Sequence, residues 1–401
     1  MLYIRGVIMD FFNVINDEYL SLIKSRIRRD KIMLELLDWN ENGIADITNE
    51  INNNGNISYN NQNGARRGCN LSIVDKDGSF TSQFAVNSKF KAWYGVSDGT
   101  DTYYHSQGVF SPKDLDKSNY GFDVTAVDKF GFLSGDLKTG TFDATVELQA
   151  ITGAIVGNVI EDLLSWNTGN GTIIDPISPN IDSELFSTKL DTDITISAGG
   201  HIGDVITQLA SWYGCNTYYD NNGILRFEKI IDYGFPSRIM QKPIVFNFDT
   251  LGLTYDDLKI RESYDNCNTV TVATDNTDGD IISCTMQNNN PYSPYSVDKV
   301  GIRLYDGEGV SNGIYSIPIR ATTEESYNAC RDMAEYLLLK QAMQSSTIEF
   351  TAPVVPHLQV GDAITVKDKD YIVQSLTIPL TASTMQVSAT SIDELPYDDL
   401  G

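Results

Sequence analysis

The stretch Pro356–Leu380, PHLQVGDAITVKDKDYIVQSLTIPL, holds two turns and the strands between them. Gly361 and Asp362 suit a tight turn, AITV runs out of it, and KDKD bends the chain back into YIVQSLTIPL. With TMQVSAT (Thr384–Thr390) behind the linker TAS, the segment reads as a β-meander, and the acidic end SIDELPYDDLG reads as exposed. Upstream, TTEESYNACRDMAEYLLLKQAMQ opens on a capping box, Thr322 to Glu325. It turns Tyr327, Cys330, Ala334, Leu337 and Leu338 inward on one long helix.

Working back toward the N-terminus, HIGDVITQLASWYG spaces Ile202, Val205, Ile206 and Leu209 as a helix, which Gly214 can close. CNTYYDNNGILRFEKI follows as a hairpin turning at Asn222-Gly223. VELQAITGAIVGNVIEDLLSW places Ile151, Ile155, Ile160, Leu163 and Leu164 near a second helical stripe, before a connector rich in Gly, Asn and Pro. Ahead of it, KIMLELLDW, CNLSIVDKDGSF and YGFDVTAVD read as strands. They follow one short helix, NDEYLSLIKSRI, with Asn16 as N-cap and Leu20, Ile23 and Ile27 on its stripe. The expectation is mainly β with an α+β insertion: β-rich 1–135, an α+β module 136–235, and β-rich 236–401 with the long helix. The two outer segments are expected to share a fold.

The 401 residues are 41% hydrophobic and carry 54 Asp and Glu against 29 Lys and Arg, a formal net charge of −25. That balance speaks for a folded chain and against general nucleic-acid binding, which needs cations to release phosphate counterions. SRIRRDK (Ser25–Lys31) is the one small basic stretch singled out. Cys69, Cys215, Cys267, Cys284 and Cys330 never form a CxxC pair, so they read as single buried thiols rather than a disulfide framework or zinc cluster. MLYIRGVIMDFF lacks the pattern of a signal peptide, and AITGAIVGNVI is too short to span a bilayer. The expectation is a soluble protein made in the cytoplasm.

Several motifs invite a chemical reading. DWNENGIAD sets Asp38, Asn40, Asn42, Gly43 and Asp46 at calcium-loop spacing, but Asn49 stands where the bidentate Glu belongs and Glu50 comes one place late. A hairpin turn uses the same residues for local hydrogen bonds and positive φ. GVSDG (Ser97) and GVSNG (Ser311) match G-x-S-x-G, yet strand-like residues follow where a nucleophile elbow needs a helix. His105, His201 and His357 have no metal-binding spacing. Carboxylate pairs or a tyrosine-rich sugar face have no concentrated signal. No catalytic, cofactor-binding or metal residue is predicted, and no enzyme activity.

The order NTVTVAT (Asn268–Thr274), NPYSPYSVDKVGIR (Asn290–Arg303), the long helix and PHLQVGDAITVKDKDYIVQSLTIPL resembles the hub protein of phage tails and contractile injection machines. HIGDVITQLASWYGCNTYYDNNGILRFEKI and RRGCNLSIVD (Arg66–Asp75) are similar to further parts of that family. The resemblance implies two tail-tube-like β-barrel domains and a homotrimer forming a pseudo-sixfold ring in the virion, at the tail tip or baseplate. Its partners would be a distal tail or tail-tube ring above, tip, spike or fibre proteins below, and a tape-measure protein. No cofactor, membrane span or sequence-specific nucleic-acid binding is implied. DNA or an effector would pass through a channel expected to be rich in Asp and Glu. The alternative from another class is a carbohydrate-binding or wall-degrading tail-tip protein.

Overall fold

Alternation of apolar and polar residues builds the strands. In Arg67–Val74, Cys69, Leu71 and Ile73 turn inward while Gly68, Asn70 and Ser72 turn out. In a computed structural model of the chain, the described residues are 9–391 except 26, 49–50, 76–87, 119, 140, 142–145, 148–151, 166–173, 230–242, 253–256, 263–266, 276–280, 292, 294, 308–309, 321, 344–345 and 381–382. Ile151, expected on a helical stripe, and the acidic end beyond Ser391 lie outside them.

The N-terminal part contains β1 (Met9–Phe12), α1 (Asp17–Lys24), β2 (Arg29–Leu37), β3 (Gly43–Asp46), β4 (Ile51–Asn60), β5 (Arg67–Val74), β6 (Lys89–Ser97), β7 (Asp101–Ser118) and β8 (Gly121–Asp128). Next come α2 (Phe130–Leu133), β9 (Val146–Glu147), α3 (Val156–Leu164), β10 (Asn180–Ile181), β11 (Thr195–Ile196), α4 (Ile202–Trp212), β12 (Cys215–Tyr219) and β13 (Leu225–Lys229). The C-terminal part opens with β14 (Ile244–Asn247), β15 (Lys259–Glu262), β16 (Thr269–Asp275), β17 (Ser283–Gln287) and α5 (Val297–Val300). It continues through β18 (Val310–Ser311), β19 (Ile314–Pro318), α6 (Thr323–Met343), β20 (Ser346–Pro353), β21 (Ala363–Val366), β22 (Lys369–Pro379) and β23 (Thr384–Ser391).

One large sheet runs β15-β20-β23-β22-β4-β5-β8-β7-β6-β2-β3, with β1, β14 and β21 attached off that path. Its two halves meet where β22 pairs antiparallel with β4, setting Leu376 opposite Tyr59 and Ile378 opposite Ile57. A shared core lies beneath, with Tyr19, Leu34, Phe90 and Phe110 from one half and Phe248, Phe350, Val373 and Met385 from the other. A second core joins α3, α4 and the β12–β13 hairpin. A third lies between α6 and the small sheet β17-β16-β19-β18.

The expected β-barrels are not formed: among the described residues no sheet closes on itself. A barrel requires the two edge strands of one sheet to pair with each other. Here β22 occupies the free side of β4, so the two halves join into one open sheet instead of curling shut separately. The path ends at β15, exposed along its whole length, and at the largely exposed β3. Both ends are short and carry charge, Lys259, Arg261 and Glu262 at one and Asp46 at the other, which is how an open edge stays in water. The mainly β character with an α+β insertion stands.

Local signals were honoured unevenly. Asn16 caps α1 by accepting from Tyr19 N at 2.8 Å; Ile23 is buried and Leu20 packs partly buried against the core as expected, Tyr19 is buried beside them, and Ile27 lies past the helix end, 89% exposed. The Thr322–Glu325 box caps α6 with both reciprocal bonds at 3.1 Å. Tyr327, near the start of the helix, is 46% exposed, while Cys330, Ala334, Leu337 and Leu338 are buried as expected. The β21–β22 turn holds Lys367 and Asp368 at φ 51° and 57°, and both backbone N–H groups donate to the carboxylate of Asp249, at 2.8 and 2.9 Å.

Candidate functional site

The residues weighed for chemistry are engaged in turns and core. DWNENGIAD is the β2–β3 hairpin turn. Asp38 accepts from Asn42 N at 2.8 Å and from Asn42 Nδ2, bonds that hold its carboxyl below the usual range, and Glu41 takes φ 66°. Ser97 donates to the Asp101 carbonyl at 2.7 Å within the β6–β7 hairpin, and Ser311 ends β18, just before the turn residue Asn312 at φ 53°. Neither precedes a helix. In SRIRRDK, Arg28 pairs with Asp30 at 3.1 Å and donates to the Val354 carbonyl, so it faces inward rather than toward a polyanion. Among the described residues no group of three or more His, Cys, Asp or Glu could hold a metal. All five cysteines are free, four of them buried.

Two histidines that sequence reasoning left isolated come together. Tyr19 Oη lies 2.8 Å from His357 Nδ1, and the His105 and His357 rings are 5.9 Å apart. Burial pushes both imidazoles down to about 4, with the neighbouring His357 adding to the effect at His105. His201 instead opens α4, with its Nδ1 2.9 Å from Thr141 Oγ1. The His105–His357 contact bridges 252 positions of sequence, so no spacing rule could have found it.

A larger polar cluster joins the open sheet to the helix-and-hairpin unit. Glu41, on the β2–β3 turn, pairs with Lys89 at 3.0 Å and Lys129 at 2.5 Å. Lys129 also pairs with Asp175 at 2.8 Å and donates to the Gly223 carbonyl at 2.8 Å. Tyr219 donates to the other Asp175 oxygen at 2.7 Å. Burial lowers the Lys89 ammonium below its ordinary range, reinforced by Lys129 and opposed by Glu41. Beside this group Arg67 reaches the Tyr219 carbonyl and Asn221, and Ser106 donates to the Asn221 carbonyl. Asp128 accepts from the backbone N–H of Arg66, Arg67 and Phe130. Burial pushes its carboxyl up to about 6 against the pull of Arg67 and those donors. The D-N-N-G hairpin foreseen from sequence is therefore the plug of this junction. Its charged sockets at 41, 89, 129 and 175 share no spacing.

The face of the large sheet opposite the core is polar. The register links Thr351, Gln386, Thr377 and Ser58 in one row across four strands, and Asn56, Asn70 and Thr125 in another. At its β15 end Lys259, Glu349, Thr351, Thr377, Gln386 and Ser388 line a shallow groove of about 380 Å³.

The chain has the fold of tail proteins. It is similar to the tail protein from Neisseria meningitidis MC58, at 11% identity and TM-score 0.55, over 92% of this chain and 99% of that one. It is similar to prophage tail protein gp18 from Listeria monocytogenes EGD-e, at 14% identity and TM-score 0.53, over 90% and 94%. The 43 kDa tail protein of prophage MuSo2 from Shewanella oneidensis matches at 12% identity and TM-score 0.51, over 92% and 100%. No family model matches the sequence, and comparison with curated proteins finds no match.

Proposed function

We propose that this chain is a non-enzymatic structural hub of a phage tail tip or baseplate, a virion component that joins the tail tube to the tip. The observation that carries the reading is a fold shared with three tail proteins over nine-tenths or more of both chains. A wide open sheet suits such a part, because it joins two halves of the chain over one shared core. In this reading three copies form a ring, with a distal tail or tube ring above, tip, spike or fibre proteins below, and DNA or an effector passing through. Segments 1–135, 136–235 and 236–401 are its units, and superposition of the outer two is the test of their kinship.

Light scattering across a concentration series, alone and with a tube protein, tests the ring. A mass of three copies is the expected result. A single copy under every condition overturns it. Release of soluble fragments from purified cell walls would favour the carbohydrate-active alternative instead.

A further inference from the structure

Lys129, Asp175 and Glu41 stand in an arrangement that can do covalent chemistry on itself. The Lys129 Nζ lies 2.8 Å from Asp175 Oδ1 and 2.5 Å from Glu41 Oε1, with the Lys129 and Asp175 side chains only 1% and 2% exposed. The Gly223 carbonyl fixes the amine from a further side, at 2.8 Å. Asp175 is polarised at both oxygens, by Ile177 N at 3.0 Å on Oδ1 and by the Tyr219 hydroxyl at 2.7 Å on Oδ2. Aromatic rings close the site: Tyr219 lies 4.9 Å from Lys129 Nζ, and Trp39 lies 4.5 Å from the neighbouring Lys89 Nζ.

We propose that Lys129 and Asp175 join in an intramolecular isopeptide bond, formed by the chain itself with Glu41 as proton carrier. One proton passes from the Lys129 ammonium to Asp175 Oδ1, leaving a neutral amine beside a neutral carboxylic acid. The amine lone pair forms the Nζ–Cγ bond while the Tyr219 hydroxyl holds the charge developing on Oδ2. Glu41 takes a second proton from nitrogen and delivers it to the Oδ1 hydroxyl. The Cγ–Oδ1 bond breaks and water leaves. Ammonium plus carboxylate become amide plus water, Glu41 ends as it began, and no oxidant or other reactant enters.

Two physical terms favour the step. Folding has already brought the reacting groups into contact, which replaces the entropy loss of a bimolecular encounter. The reaction also removes two of the four buried charges, leaving a neutral amide and the Lys89–Glu41 pair, and each ion taken out of water carries a desolvation penalty that the neutral amide does not. The bond would tie the β8–α2 corner covalently to the segment leading into β10.

Mass spectrometry of the intact, denatured full-length chain tests the proposal without any variant. The expected mass is that of the sequence less one water, and proteolysis should yield a branched peptide joining the segments around Lys129 and Asp175. A full sequence mass overturns it, and so does a water loss that maps elsewhere. Lys129→Arg should restore the full mass, and Glu41→Gln should leave most of the chains unjoined. Persistence of the water loss in Lys129→Arg, or complete joining in Glu41→Gln, would refute the assigned roles.

Discussion

The β22–β4 seam and the junction under the β12–β13 hairpin both join distant parts of the chain, by opposite means. At the seam a backbone ladder runs over buried Ile57, Tyr59, Leu376 and Ile378. At the junction, ions and backbone carbonyls interlock in near-complete exclusion of water. Apolar contact is non-directional and roughly proportional to area, so a seam can lose a side chain and still partly close. A buried charge set has no such gradation, because deleting one partner leaves another uncompensated in low dielectric. The seam sets how wide the sheet is; the junction sets where the helix-and-hairpin unit sits.

The sharpest way to break this contrast is Glu41→Ala, which leaves Lys89 and Lys129 sharing a buried space with only Asp175 to balance them. A loss of about 3–5 kcal/mol is expected in denaturant unfolding, with early protease cleavage within the displaced unit. A loss below about 1 kcal/mol would show that the junction is wet and loosely held. At the seam, Ile57→Ala or Ile378→Ala should each cost about 3 kcal/mol. The pair should be non-additive, because the two residues face each other.

Acid separates the regions further. His105 and His357 have folded values near 4 against an ordinary 6.5, so the unfolded chain binds more protons between those limits. Their contribution is complete above about 6.5 and is lost as pH falls toward 4. Asp128 acts in the opposite sense. With a folded value near 6 against an ordinary 3.8, its contribution is present below the lower value and lost as pH rises through the upper one. His105→Phe should therefore flatten the fall in stability measured from pH 6.5 to 4; an unchanged slope would remove His105 from the account.

Smaller effects belong to the helix and turns. Thr322→Ala, which removes the acceptor for Glu325 N, should cost about 1 kcal/mol in thermal or denaturant unfolding. Calcium should leave the melting temperature unchanged, with or without Asp38→Ala, since Asp38 is already occupied by Asn42.

What could be read from sequence was what neighbouring residues decide. The Thr322–Glu325 box, the Asn16 cap, the close of α4 at Gly214 and the D-N-N-G hairpin each rest on positions a few residues apart. Tyr327 fits the helical stripe by spacing and still stays 46% exposed, because spacing does not say how far the sheet extends beneath the start of the helix. The barrel expectation failed for a related reason. Strand alternation fixes which side chains face the core, but open or closed depends on which strand takes the free side of β4, and that strand lies over 300 residues away. The junction charges were illegible because lysine and glutamate at such positions look like any solvated surface until tertiary packing buries them.

The β21–β22 turn has a consequence for the order of events during folding. Two successive non-glycine residues in the left-handed region are unfavourable on their own, and the groups that reward them belong to Asp249, 118 positions before Lys367. A hairpin whose strands are adjacent in sequence thus depends on a remote carboxylate. In kinetic terms it is expected to behave as a non-local contact, completed once the one-turn helix Phe248–Leu251 has docked; an Asp249→Ala variant that leaves the folding rate unchanged and speeds unfolding is the result that checks this.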